Sequence, residues 1–174
     1  MSSTKKIVRI ALIAAIYFVI SMSLQFMSFN SIQVRVAEAL IVAAIVSKNG
    51  IYGVTIGCLI TNAIGTSLGL SNFGILDVIF GTLFTAISCV LAYYLKNFKF
   101  GKNQVPYVSL MMPVLVNAIG LPFVFAFGYY QALHLPVLLF DFTTVFIGQF
   151  ISCIIIGSIL YTKYSQRFAE FLNN

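Results

Sequence analysis

The chain has 174 residues, of which 60% are hydrophobic and 8% charged, with a formal net charge of +6. An average soluble domain is about 25% charged, so the composition excludes an ordinary water-soluble domain and describes an all-α integral membrane protein, read as a single membrane domain over residues 1–174. The positive balance fits lysines and arginines gathered on cytoplasmic loops rather than nucleic-acid binding, and with no Gly-Lys-Ser/Thr phosphate loop the chain has no means of hydrolysing a nucleotide by itself.

A helix needs about 20 mainly apolar residues to cross a bilayer. The predicted spans are residues 7–29, 36–47, 51–68, 73–95, 106–130 and 136–162, the second being short for a full crossing. Lys5, Lys6 and Arg9 precede the first span like the n-region of a signal peptide, but the apolar stretch is long and no A-x-A-like site follows, so a retained span is expected. Ser47-Lys48-Asn49-Gly50 separates the second and third spans. Pro106 and Pro136 suit helix starts, where a missing N–H does no harm. Six spans put both termini on one side. Nine basic residues (Lys5, Lys6, Arg9, Lys48, Lys96, Lys99, Lys102, Lys163 and Arg167) then face the cytoplasm, and only Arg35 lies opposite. Five or seven spans would spoil that pattern.

The polar residues of the apolar runs gather at the opposite, outer level. Gln33, Arg35 and Glu38 lie at the turn between the first two spans, Asn62 in the outer half of the third, Asn72 and Asp77 where the fourth begins, and His134 and Asp141 where the sixth begins, while Asn117 is nearer the middle of the fifth. Three of the four acidic residues are in this set. A carboxylate at membrane depth costs about 2.5–3.5 kcal/mol on insertion scales and usually faces a cavity. The distribution describes a pocket open to the outside, not a continuous pore.

Each residue also has a purely structural reading. Arg35 and Glu38, three apart, could pair with each other. Asp77 could serve a helix N-terminus, and Asp141, more weakly, another. Asn117 could hydrogen-bond a neighbouring helix, and His134 reads as a solvated loop residue. Tyr129 and Tyr130 read as an interfacial belt, with stacking on a flat ligand as the minority reading. Cys58, Cys89 and Cys153 lack C-x-x-C spacing and read as buried reduced thiols, and nothing in the chain calls for a metal or a cofactor. The repeated Asn-Ala-Ile-Gly at residues 62–65 and 117–120 falls on the third and fifth spans, so it does not mark a three-plus-three repeat. Ala11 and Ala15 form a small-x-x-x-small pair that suits a partner's close approach.

Three segments resemble the QueT family: Arg35-Val36-Ala37-Glu38-Ala39-Leu40, the run from Gly74 through Asp77, Ile79, Phe80 and Gly81, and Pro113-Val114-Leu115-Val116-Asn117-Ala118. The resemblance covers nearly the whole chain. It implies the substrate-binding (S) component of an energy-coupling factor (ECF) transporter in a prokaryotic plasma membrane. Such proteins have six helices, cytoplasmic termini and an outer pocket, lack ATPase activity, and dock on a transmembrane T component with two ATPase subunits. It further implies docking through Ala11 and Ala15, toppling of the S component in the bilayer, and a queuosine precursor as cargo, a 7-deazaguanine base such as 7-aminomethyl-7-deazaguanine or queuine.

That cargo presents N1–H and a 2-amino group side by side, which a carboxylate accepts as a charge-assisted pair. Glu38 or Asp77 is the expected partner for this edge and Asp141 for the aminomethyl group. Asn62, Asn72 and Asn117 complete a polar ring, Gln33 is a further donor, and Arg35 is expected to orient Glu38. Acids and aromatics would equally suit another vitamin-like or nucleobase-like cargo. A stand-alone carrier or channel and a membrane-embedded enzyme are the other classes, although no nucleophile–base motif supports the last.

Overall fold

A computed structural model describes residues 3–28, 34–71, 73–102 and 104–173. Among them the secondary structure is helical throughout, apart from one isolated antiparallel bridge between Phe100 and Val105. Helix α1 spans Ser3–Ser23 and is followed by the short α2, Gln25–Ser28. A 3-10 turn, Val36–Leu40, leads into α3, Ile41–Val46. Helix α4 is Lys48–Ser67. A π-helical turn, Asp77–Gly81, opens α5, Thr82–Tyr94. Helix α6 is Tyr107–Gly128 and α7 is Leu135–Gln149, which continues through a π-helical segment, Phe150–Ile156, into α8, Gly157–Asn173.

Among the described residues, four helical stretches are long and apolar enough to cross a membrane: Ser3–Ser23, Asp77–Tyr94, Tyr107–Gly128 and Leu135–Asn173. Helix α4 has the length, with 20 residues, but Lys48, Asn49, Asn62 and its glycines lower its hydropathy. The short segment Val36–Val46 survives because it never meets lipid: Ile41, Val42, Ala43 and Ala44 are completely buried and form the centre of the main apolar core. The outer helices turn large side chains such as Val19, Ile79, Ile119 and Phe140 outward, as a lipid-facing surface requires.

Two helix boundaries differ from the expected spans. The linker between the second and third spans shrinks to Ser47, whose hydroxyl accepts the Asn49 N–H (3.2 Å) and caps α4, so Lys48, Asn49 and Gly50 are already helical. Gly50 makes this sharp reversal possible, because a Cβ there would fall on the Ala43 carbonyl. The first span ends as a continuous helix at Ser23, and its expected last residue lies outside the described residues. The last helix runs past residue 162 to Asn173, held by Leu172, which is completely buried, and by side-chain bonds from Ser47 to Asn173 Oδ1 (2.7 Å) and Asn49 to the Leu172 carbonyl (2.7 Å).

Two glycines bring α1 and α4 together. A Cβ on Gly53 would lie 2.7 Å from Ile13 Cβ, and one on Gly57 would lie 2.6 Å from Tyr17 Cβ. This G-x-x-x-G face lets the helix backbones approach closely and presses Tyr17 into the interior. Basic residues meet at one end of the bundle: Lys48 and Lys96 both lie over the Tyr93 ring, and Arg9 of α1 lies over Phe171 of α8. Arg35 and Asp77 lie toward the other end.

Candidate functional site

Five elements deliver polar side chains to one buried place: α1, the 3-10 turn, α4, the π-helical turn before α5, and α5 itself. Glu38 is completely buried. Its Oε1 accepts two hydrogen bonds, from the Tyr17 hydroxyl at 2.7 Å and from Thr85 Oγ1 at 3.0 Å. Its Oε2 is equally buried and has no hydrogen-bond partner. A carboxylate offers about four lone-pair sites. Here two are used on one oxygen and the other oxygen is left open.

The second carboxylate is satisfied differently. Asp77, also completely buried, takes Arg35 Nη2 on Oδ1 at 3.4 Å and Ser71 Oγ on Oδ2 at 2.5 Å. Arg35 therefore pairs with Asp77 rather than with Glu38. It sits just before the 3-10 turn with φ −83° and ψ 78°, so its side chain does not share a helical face with Glu38. Asp77 does not cap the helix, which has no side-chain cap there; Ser71 Oγ accepts the backbone N–H of Phe73 and Gly74 (3.3 and 3.0 Å) in the turn before it.

Asn62 joins the two halves. Its amide donates to the Asp77 carbonyl at 3.0 Å and approaches Cys58 Sγ at 3.4 Å, and Cys58 in turn donates toward Thr85 Oγ1 at 3.5 Å. The π-helical turn adds a residue per turn at Asp77–Gly81, a distortion that recurs at functional sites. Gly81 keeps the centre open: a Cβ there would lie 3.1 Å from Asn62 Nδ2 and 3.6 Å from Arg35 Nη1. On the far wall, Cys153 of the second π-helical segment donates toward the Glu38 carbonyl at 3.8 Å and toward Gln149 Oε1 at 3.5 Å. All three cysteines are buried and unpaired.

The structure thus brings Arg35, Glu38, Asn62 and Asp77 together. Asp141 has one buried oxygen without a partner, Oδ2, but among the described residues no hydrogen bond or ion pair joins it to this cluster. Asn117 is buried and its Oδ1 also lacks a partner. Gln33 and Asn72 lie outside the described residues. His134 is exposed at the start of α7. Ala11 and Ala15 are both exposed on α1, and Ala11 borders α4 at Tyr52 and Ile56.

Four participants carry no warning in the charge pattern: Tyr17, Ser71, Thr85 and Gln149. Tyr17 offered one signal. Membrane tyrosines favour the interfaces, whereas Tyr17 sits deep within α1 and is almost completely buried. An aromatic group flanks the cluster, with Phe73 stacked on Phe125 at 3.5 Å between centroids and Tyr129 edge-on to Phe73.

This arrangement suits the capture of a small molecule bearing hydrogen-bond donors. Comparison with known proteins decides the family: the QueT transporter family matches residues 7–166. The chain belongs to the QueT transporter family. A member from Lactococcus lactis subsp. cremoris (strain MG1363), a queuosine precursor transporter, is 31% identical over 168 residues, covering 86% of this chain and 91% of the relative. No solved structure matches the chain significantly. As a QueT-family member it is a membrane transporter of a small molecule.

Proposed function

We propose that this QueT-family protein captures a queuosine precursor, a 7-deazaguanine base, through Glu38. The open, buried Oε2 of Glu38 carries the proposal. Leaving a buried polar atom unsatisfied costs about 1–3 kcal/mol, more when it is charged, and a ligand that donates to it recovers that cost. N1–H and the 2-amino group of a deazaguanine are adjacent donors of the required kind. Asp77, each oxygen of which already has a partner in Arg35 or Ser71, acts as the anchor that fixes Arg35 and, through its carbonyl, Asn62. Asn117, with its unpaired Oδ1, is a second ligand acceptor. Asp141 remains the candidate for the aminomethyl end, with Asn72 in the polar ring and Gln33 as a further donor. The Lactococcus relative, a queuosine precursor transporter, supports the cargo class.

The protein acts as the S component of an ECF transporter in a prokaryotic plasma membrane, crossing it six times as a single membrane domain with both termini cytoplasmic. Clustering of basic side chains at one end of the bundle supports that orientation. Docking on the T component uses the outward face of α1. Beside Ala11 a groove of about 440 Å³ between α1 and α4 runs past Ile7, Ile10, Tyr52 and Ile56, and the small side chains of Ala11 and Ala15 permit close helix approach.

Calorimetry of the purified chain with 7-aminomethyl-7-deazaguanine tests the binding claim, with saturable one-to-one binding expected and absence of binding overturning it. Liposomes containing the chain alone are expected to bind the base without accumulating it. Concentrative uptake without a T component and ATPases would identify a stand-alone carrier instead.

A further inference from the structure

We propose that the groove between the α5–α6 connection and α8 binds the phosphate-bearing headgroup of an anionic membrane lipid. The connection is a built element rather than a loose loop. Phe100 and Val105 exchange both backbone hydrogen bonds (2.9 and 3.1 Å), and the turn between them is closed by Gly101 in the left-handed region (φ 76°) and by Gln104 Nε2 donating to the Gly101 carbonyl at 3.2 Å. This small hairpin carries Lys102 at its tip and faces Lys163 of α8 across a groove of about 390 Å³. Phe100, Tyr107 and Ile159 form the apolar part of the lining, and Thr162 adds a hydroxyl beside Lys163.

The charges of this groove are unanswered by the protein. Lys6, Arg9, Lys48, Lys96 and Arg167 each lie over an aromatic ring. Lys102 and Lys163, like Lys5 and Lys99, have neither a ring nor a carboxylate partner among the described residues, where the one ion pair is Arg35–Asp77, and of these four only Lys102 and Lys163 share a groove. Three of the chain's four acidic residues, Glu38, Asp77 and Asp141, lie elsewhere in the fold. Two unpaired ammonium groups from separate elements, above exposed Phe100, Tyr107 and Ile159, match an amphiphile with an anionic head and a chain running down the helix surface. Basic pockets between membrane helices take such headgroups. A free phosphate would use the lysines and leave the apolar wall exposed, so the lipid is the better fit. Among the described residues, the lining comes from the α5–α6 connection, α6 and α8, and none of it from α1.

Native mass spectrometry of the intact chain tests this, with phosphatidylglycerol titrated against phosphatidylcholine. Preferential retention of phosphatidylglycerol is expected, weakening roughly 30-fold in K102Q/K163Q, since each basic side chain contributes about fivefold at an anionic surface. The equally discharged K5Q/K6Q should retain wild-type preference, and both variants should keep the wild-type melting temperature. Equal retention of the two lipids overturns the proposal, as does an unchanged preference in K102Q/K163Q or an equal loss in K5Q/K6Q. Displacement of the lipid by inorganic phosphate at roughly its own concentration would identify a soluble-anion site and overturn the lipid assignment, because a lipid held partly by its chain resists such competition.

Discussion

Replacing Glu38 by Gln isolates the contribution of one open carboxylate oxygen. The amide oxygen can keep the two bonds now made to Oε1, from Tyr17 at 2.7 Å and Thr85 at 3.0 Å, so the wall of the site stays in place. The amide nitrogen then occupies the position of Oε2, the atom with no partner in the protein. It is a donor and would face the donors of the base. A hydrogen bond to a charged group contributes about 1.5–3 kcal/mol, and an opposed buried donor costs about 1–3 kcal/mol. Taking about 3 kcal/mol for the combined loss gives a Kd roughly 150 times weaker. Calorimetry with 7-aminomethyl-7-deazaguanine measures this directly. The melting temperature of the ligand-free protein should not fall, because a neutral amide is cheaper to bury than a carboxylate. A Kd within twofold of wild type in a variant that melts normally would refute the reasoning.

Asp77→Asn should act mainly on stability. It strands the Arg35 guanidinium in the interior, which costs about 3–5 kcal/mol, and the loss should be partly restored when Arg35→Gln is added; a lone D77N that melts like wild type would show that the 3.4 Å pair is unimportant. Gly57→Val should destabilise the protein by about 1–3 kcal/mol through overpacking and should also weaken ligand binding, because Tyr17 must move and with it a donor to Glu38; thermal melting and calorimetry on the same sample check both halves. Ala11→Leu with Ala15→Leu should leave the Kd unchanged while abolishing uptake in cells that supply a T component and ATPases, and retained uptake would move docking to another face. Ser47→Ala should cost about 1 kcal/mol as a lost cap and loosen α8, visible as faster amide exchange at residues 168–173.

What could be read from the residues followed their physics. Helix α6, whose apolar run is long and unbroken by charge, spans Tyr107–Gly128 within the expected 106–130, and Pro113 and Pro122 inside it do not interrupt it. The burial of Glu38 and Asp77 followed from the cost of a carboxylate in lipid. Their partners did not follow, because hydrogen bonds such as Arg35 to Asp77 and Thr85 to Glu38 join residues 42 and 47 positions apart. Spacing along a helix suggested Arg35 with Glu38, but Arg35 lies outside the helical turn. Tyr17 and Thr85 carry no charge and are ordinary in apolar helices, so only contact reveals them. The extension of α8 escaped a hydropathy argument because its residues 163–170 are largely polar, and its anchor is the single buried Leu172. Asp141 shows the limit of reasoning from charge alone: three rare acids suggested one hollow, and hydrogen bonding ties only two of them to the same cluster.

The most direct test pairs a change in the ligand with a change in the protein. The affinity of 7-aminomethyl-7-deazaguanine is compared with that of its analogue lacking the 2-amino group, on the wild-type protein and on Glu38→Gln. If Oε2 of Glu38 receives the 2-amino group, the wild-type protein prefers the natural base by roughly tenfold or more, and the variant loses most of that preference. The same preference in both proteins would mean that another residue reads this edge of the base.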